Sequence, residues 1–152
     1  MEYATLEREI HIEAAPEVVF DVVSSPEHVR EWWPDSADYP LAPGGSGQIV
    51  FDQATDDPKA VAITVVTVDR PRLFSFRWTH PVGEPAATAN SLLVTFELVP
   101  AGSGTTLKLT ETGFREQGWE AAVLEETYRD HELGWDHHLA RISPYVEKLV
   151  AR

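Results

Sequence analysis

The sequence predicts an α+β fold: a curved antiparallel sheet of six or more strands around a long C-terminal helix, with two short helices after the first strand. Three observations predict it. Across residues 120–152, Tyr128, Trp135, Leu139, Ile142, Val146 and Leu149 recur at spacings of seven, four and three, which places them on one stripe of a helix. The hundred or so residues before it read as a series of strands separated by Pro, Gly and Asp. A long amphipathic helix must bury its stripe, and a sheet that wraps around it supplies the surface.

The 152 residues suit one domain, residues 1–152, with one core; repeats, low-complexity tracts and a linker long enough to divide it are absent. Lys and Arg number 12 against 25 Asp and Glu, a net charge of -13 that repels phosphate backbones and argues against nucleic acid as a partner. No apolar run approaches the ~20 residues that span a bilayer, and the opening Met-Glu-Tyr-Ala-Thr lacks the regions of a signal peptide. A cytoplasmic location without membrane insertion is expected. With no cysteine, disulfides, thiol nucleophiles and thiolate metal sites are excluded.

Residues 5–12 alternate, with Leu6, Ile10 and Ile12 on one face and Glu7, Glu9 and His11 on the other: a half-buried strand. Arg8 lies on the apolar face, where an always-charged guanidinium needs a carboxylate or water. Pro16 and Glu17 suit a helix start, and Val18, Val19, Val22 and Val23 supply its buried side. Ser24-Ser25 ends it; Ser25 then caps a second short helix with Pro26 at its first position, running on to Pro34. Trp32-Trp33-Pro34 opens a loop of about a dozen residues containing Pro40, Pro43, Gly44, Gly45 and Gly47. Adjacent tryptophans cannot both point the same way. Either one packs on the core while the other faces a cleft or solvent, or both close the bottom of the core.

Strands are expected at 48–52, 60–69, 72–79, 89–100 and 105–111, and the short turns between them make neighbours antiparallel. Phe74, Phe76, Trp78 and His80 share one face; Asn90, Leu92, Val94, Phe96 and Leu98 share another. Glu111 ends the last strand as an acid on the apolar row of Leu107 and Leu109. If the first and last strands pair, Arg8 and Glu111 meet inside, either as a structural ion pair or as ligand-orienting groups. The Gly113-Phe114 and Gly118-Trp119 junction suits either a mobile lid or a loop tucked over the core.

In the terminal helix Pro144 predicts a kink, since the stripe keeps its phase across it. His131 and Glu132 fall on or beside the apolar face, His138 at its edge and His137 opposite. A zinc-protease pattern would need a second histidine where Trp135 stands, and His131 and His138 are roughly 10 Å apart along the axis, so no metal site is expected.

Trp32-Trp33-Pro34, the strand Leu73-Phe74-Ser75-Phe76-Arg77-Trp78, the run Val94-Thr95-Phe96-Glu97-Leu98, the segment Gly104-Thr105-Thr106-Leu107-Lys108-Leu109-Thr110 with Gly113-Phe114, and Gly134-Trp135 before Leu139 carry a resemblance. Together they resemble the bacterial proteins similar to the activator of heat-shock protein 90 ATPase, within the START-like, or Bet v 1-like (SRPBCC), superfamily. The resemblance implies a helix-grip fold and a cavity between sheet and helix that in many relatives takes a lipid-like, sterol-like or polyketide-like molecule. The eukaryotic co-chaperone of that name also has a separate N-terminal domain, to which nothing in this sequence corresponds.

The expected function is binding of a small hydrophobic molecule in that cavity by Trp33, Phe51, Phe76, Trp78, Phe96, Glu111, His131, Trp135 and His138. Aromatic walls with a few polar groups are what such a pocket needs. Two alternatives stand beside it. One is a co-chaperone or stress-related module whose partner is a chaperone or another protein. The other is a cyclase- or dehydratase-like enzyme with His131 or Glu132 as general base. No nucleophile-elbow serine is present, no catalytic residue is assigned and no cofactor is expected. The chain is expected to be a monomer or a homodimer.

Overall fold

Strand β1 (Thr5–Ile12) keeps the alternation of its sequence, with Leu6 and Ile12 buried, and pairs antiparallel with β7 (Gly104–Thr112). These come from a computed structural model that describes residues 3–151; Met1 and Glu2, from the opening segment, and Arg152, at the end of the expected helix, lie outside the described residues. Between β1 and β7 in sequence come α1 (Pro16–Ser24), α2 (Pro26–Trp32), β2 (Ser36–Asp38), β3 (Ser46–Phe51), β4 (Lys59–Asp69), β5 (Leu73–Trp78) and β6 (Leu92–Ala101). The strands form one curved antiparallel sheet of seven in the order β1-β7-β6-β5-β4-β3-β2. A register shift between Val65 and Thr67 interrupts the β4–β5 ladder, a device that bends a strand.

Seven strands meet the expectation of six or more, and the one beyond the six read from the sequence is β2. β2 falls in what reads as loop, because three residues are too few to show a period. It approaches β3 so closely that a Cβ on Gly47 would lie 2.0 Å from the Asp38 carbonyl oxygen, so this crossing requires glycine. β6 starts at Leu92 and not at 89: Asn90 accepts the Ala87 N–H at 2.7 Å and donates to Pro85 O at 3.0 Å, which holds the preceding residues in a turn.

The two short helices begin at Pro16 and Pro26, each at a first position where its missing N–H costs nothing. Ser25 occupies the N-cap of α2, but its side chain makes no capping bond. The terminal helix is two helices, α3 (Ala121–Leu139) and α4 (Ile142–Val150), so the expected kink at Pro144 is corrected to a break at Ala140 and Arg141. Proline excludes a helical carbonyl four residues before it, at Ala140; as the third residue of α4, Pro144 has no donor left to satisfy.

The stripe is buried as its period demands: Trp135, Leu139, Ile142 and Val146 are each under 4% exposed, and Tyr128 and Leu149 pack against them. Each such burial contributes about 1.5–3 kcal/mol. Tyr128 donates its hydroxyl to Thr5 O at 2.8 Å, fixing α3 to β1, and His28 Nδ1 lies 2.6 Å from the Tyr145 hydroxyl, fixing α2 to α4. The 113–120 junction is tucked over the core. Phe114 is fully buried against Tyr128 and His131, with ring centroids 5.1 and 5.5 Å away, and Gln117 Nε2 donates to Ser91 O and Gly113 O.

Candidate functional site

A recess of about 160 Å³ lies between α3 and the sheet, walled by Trp33, Phe51, Trp78 and Trp135, with Asp130, His131, Gly134 and His138 from α3 completing it. The tandem tryptophans divide as the first of their two readings has it. Trp32 is buried and donates its indole N–H to Val22 O at 2.8 Å. At Trp33 the helix has ended, with φ -118 and ψ -93, and its ring turns to the recess, 5.0 Å from the rings of both Trp78 and Trp135.

Behind this wall sits Glu111, fully buried. Its Oε2 accepts the Trp78 indole N–H at 2.7 Å, and its Oε1 accepts that of Trp135 at 2.9 Å and lies 2.9 Å from His131 Nδ1. An indole N–H only donates, so both carboxyl oxygens serve as acceptors and the buried acid is satisfied by three ring nitrogens. Glu111 therefore positions the recess wall and does not line the recess.

The expected Arg8–Glu111 pair does not form. In register Leu6 stands opposite Glu111 and Arg8 opposite Leu109. Arg8 reaches α3 instead, with its Nε 2.6 Å from Asp136 Oδ1 and its Nη2 3.2 Å from Glu132 Oε2, on a face where about a third of its side chain meets solvent. The hydrogen bond to Asp136, more than any other contact, raises the pKa of the guanidinium further. Of the two candidate bases, Glu132 is bound to Arg8 and is not among the residues that line the recess, whereas His131 is.

His138 is the recess residue with the least support. It is half-buried, its Nδ1 is fully enclosed, and no hydrogen-bond partner meets that atom. Desolvation, and then the neighbouring His137 and Arg141, push its pKa down to about 4, with only the Trp32 backbone favouring the charged form. The ring is neutral at pH 7.

Of the nine residues expected to form the site, Trp33, Phe51, Trp78, His131, Trp135 and His138 line the recess. Phe76, Phe96 and Glu111 do not; they are at most 1% exposed and back the wall, Phe76 against Trp33 at 5.6 Å and Phe96 edge-on to Trp135 at 6.2 Å. Alternation put these side chains on the correct face, but a face is deeper than one layer of rings. Asp130 and Gly134 were missed. Gly134 carried a signal, since a glycine inside a helix costs about 1 kcal/mol against alanine and calls for a reason. A Cβ built there meets no atom within 4 Å, so the reason is space and not a close approach.

With fold and recess in view, comparison with known proteins gives the lineage. The family described as activator of Hsp90 ATPase homolog 1-like protein matches residues 13–147. The chain belongs to this family. Among solved structures, this activator-homologue-like chain is similar to a Mesorhizobium loti protein at 20% identity, covering 95% of this chain and 97% of that one with a TM-score of 0.73. It is similar to a Nitrosomonas europaea protein at 13% identity and TM-score 0.77, with 97% of each chain covered. It is also similar to the Aha1 dimer from Colwellia psychrerythraea at 15% identity and TM-score 0.71, covering 94% of this chain and 96% of that one. At these identities the likeness establishes the helix-grip fold and nothing about ligands. No curated protein matches the chain. No helix among the described residues is long and apolar enough to cross a membrane.

Proposed function

We propose that this protein binds a small apolar molecule, about one substituted aromatic ring in size, in the recess between α3 and the sheet. The observation that carries the reading is a recess of about 160 Å³ whose wall is three indoles and a phenyl ring, left open by Gly134. An apolar cavity of about 150 Å³ suffices for benzene, whereas drug-sized ligands occupy about 300–1,000 Å³. The sterol-like and polyketide-like ligands of the wider superfamily would need Trp33 or α3 to move.

The test is titration with toluene, followed by indole N–H resonances. Saturable shifts at Trp33, Trp78 and Trp135 with a Kd of about 1 mM or tighter are expected, and Gly134→Leu, which fills the open space, should abolish them. Unsaturable shifts, or equal binding by Gly134→Leu, would remove the reading.

A second reading, self-association, is favoured by the dimeric state named for the Colwellia relative. Sedimentation velocity over a wide concentration range decides it, a single monomeric species throughout being the adverse result. A chaperone partner is supported by the family description alone.

A further inference from the structure

Two side chains that line the recess keep an unused hydrogen-bonding atom open to solvent, and the two atoms are of opposite kinds. His131 supplies an acceptor. Its Nδ1 lies 2.9 Å from Glu111 Oε1, and since both carboxyl oxygens accept, Nδ1 holds the proton and the lone pair of the neutral ring sits on Nε2. No partner meets Nε2 among the described residues, and it is not enclosed, because the enclosed side-chain nitrogen without a partner is His138 Nδ1. The His131 side chain is 18% exposed, and it lines both the recess and a neighbouring hollow of about 340 Å³ that it shares with Thr79, Trp119 and Thr127.

Trp33 supplies a donor. The residue is 5% exposed and lines the recess, yet its indole N–H has no partner among the described residues and is not enclosed either. The Trp78 and Trp135 N–H groups, by contrast, are committed to Glu111. The His131 and Trp33 rings both pack on Trp78, with centroids 5.3 and 5.0 Å from its own.

A buried carboxylate that accepts from Nδ1, and is itself held by two indoles, is the arrangement that orients a histidine as a general base. What the base does follows from its surroundings. A hydroxyl deprotonated here would need a second reactant to attack, whereas a C–H beside a carbonyl needs only the one molecule. Negative charge then gathers on the carbonyl oxygen, which calls for a free donor at the same recess, and Trp33 is one. An anionic substrate is disfavoured by Asp130 at the recess, by Glu111 behind the wall and by a net charge of -13.

We propose that His131 is a catalytic base oriented by Glu111, and that the molecule in the recess is a neutral aromatic ketone or aldehyde that it tautomerises. Nε2 takes the proton from the carbon next to the carbonyl, the C–H electron pair becomes the C=C bond, and the carbonyl π pair moves to the oxygen held by the Trp33 N–H. The imidazolium then gives its proton to that oxygen, so an enol forms and nothing is consumed. This rests on the small-molecule reading above and adds to it a substrate class and a reaction.

The experiment follows deuterium exchange into phenylacetone, next to its carbonyl, in heavy water. Native protein should catalyse it. His131→Phe, which keeps a ring and removes the base, should lose about 100-fold while still binding toluene. Trp33→Phe, which removes the donor, should lose a similar factor. Glu111→Gln, acting through His131, should lower kcat more than about tenfold at a similar KM, a split that a merely structural role would not give. Toluene binding without catalysed exchange, or exchange equal in His131→Phe, overturns the base and leaves the pocket standing. Exchange equal in Trp33→Phe overturns the carbonyl assignment, and failure of toluene to bind overturns the pocket itself. Unaltered protein covers the case in which the variants misfold: toluene, which has no acidic C–H, should inhibit the exchange competitively, and exchange untouched by saturating toluene would place the base elsewhere and end the proposal.

Discussion

Glu111 Oε2 accepts the indole N–H of Trp78 at 2.7 Å, so a fully buried acid at the end of β7 holds in place a ring from the end of β5, two strands away. With Trp135 on the other oxygen, one side chain orients two of the three indoles that wall the recess. The conserved-volume change Glu111→Gln tests this directly. Whichever way the amide is turned, one indole N–H faces an NH₂ group, and an unsatisfied buried donor costs about 1–3 kcal/mol. The urea midpoint should fall accordingly at unchanged slope. Glu111→Ala, which strands two indole donors, should lose more than about 2 kcal/mol. Neutral behaviour of both variants would mean that water replaces the carboxyl.

Arg8 belongs to a different network, and its variant should say so. Its partners Asp136 and Glu132 lie on a solvated face, where such pairs are worth about 0–1 kcal/mol. Arg8→Ala should cost no more than that, and less in high salt. A double-mutant cycle of Arg8→Ala with Glu111→Gln should give a coupling below about 0.5 kcal/mol; a larger value would revive the ion pair that the register denies.

Gly134→Ala should stabilise the protein by about 1 kcal/mol, since alanine favours a helix interior and the added Cβ meets no atom within 4 Å. For a chain of this size that raises Tm by about 2–4 °C. An unchanged or lower Tm would show the space above Gly134 to be smaller than described.

Acid should weaken the fold through His138. The folded pKa, about 4, lies below the ordinary 6.5, so on acidification the unfolded chain takes up this proton first. The stability is intact above about pH 6.5 and is lost as pH falls toward 4. At full weight the shift corresponds to about 3 kcal/mol; solvent at the half-buried ring reduces that to about 1–2 kcal/mol. His138→Phe should flatten the stability profile in this window while leaving the slope below pH 4, where carboxylates titrate. An identical profile for the variant would count against the buried neutral ring.

Strand alternation and the helical stripe were legible because each is a period carried by consecutive residues. Leu6 with Ile12, Leu92 through Leu98, and Trp135 through Val146 lie where their spacing puts them. β2, with three residues, carries too short a pattern to read. The break before Pro144 lay within reach, since proline acts four residues upstream; phase continuity argued against it and was wrong.

Neither the partners of Glu111 nor the recess can be read along the chain. The Trp78 and Trp135 donors lie 33 and 24 residues from the acid, and which cation or ring reaches it depends on strand register and on where α3 crosses the sheet. Residue type and period thus account for the elements and for the face each ring occupies. Which rings form the wall, which stand behind it, and how much space remains are differences between packed volumes, and such differences exist only once the layers have met.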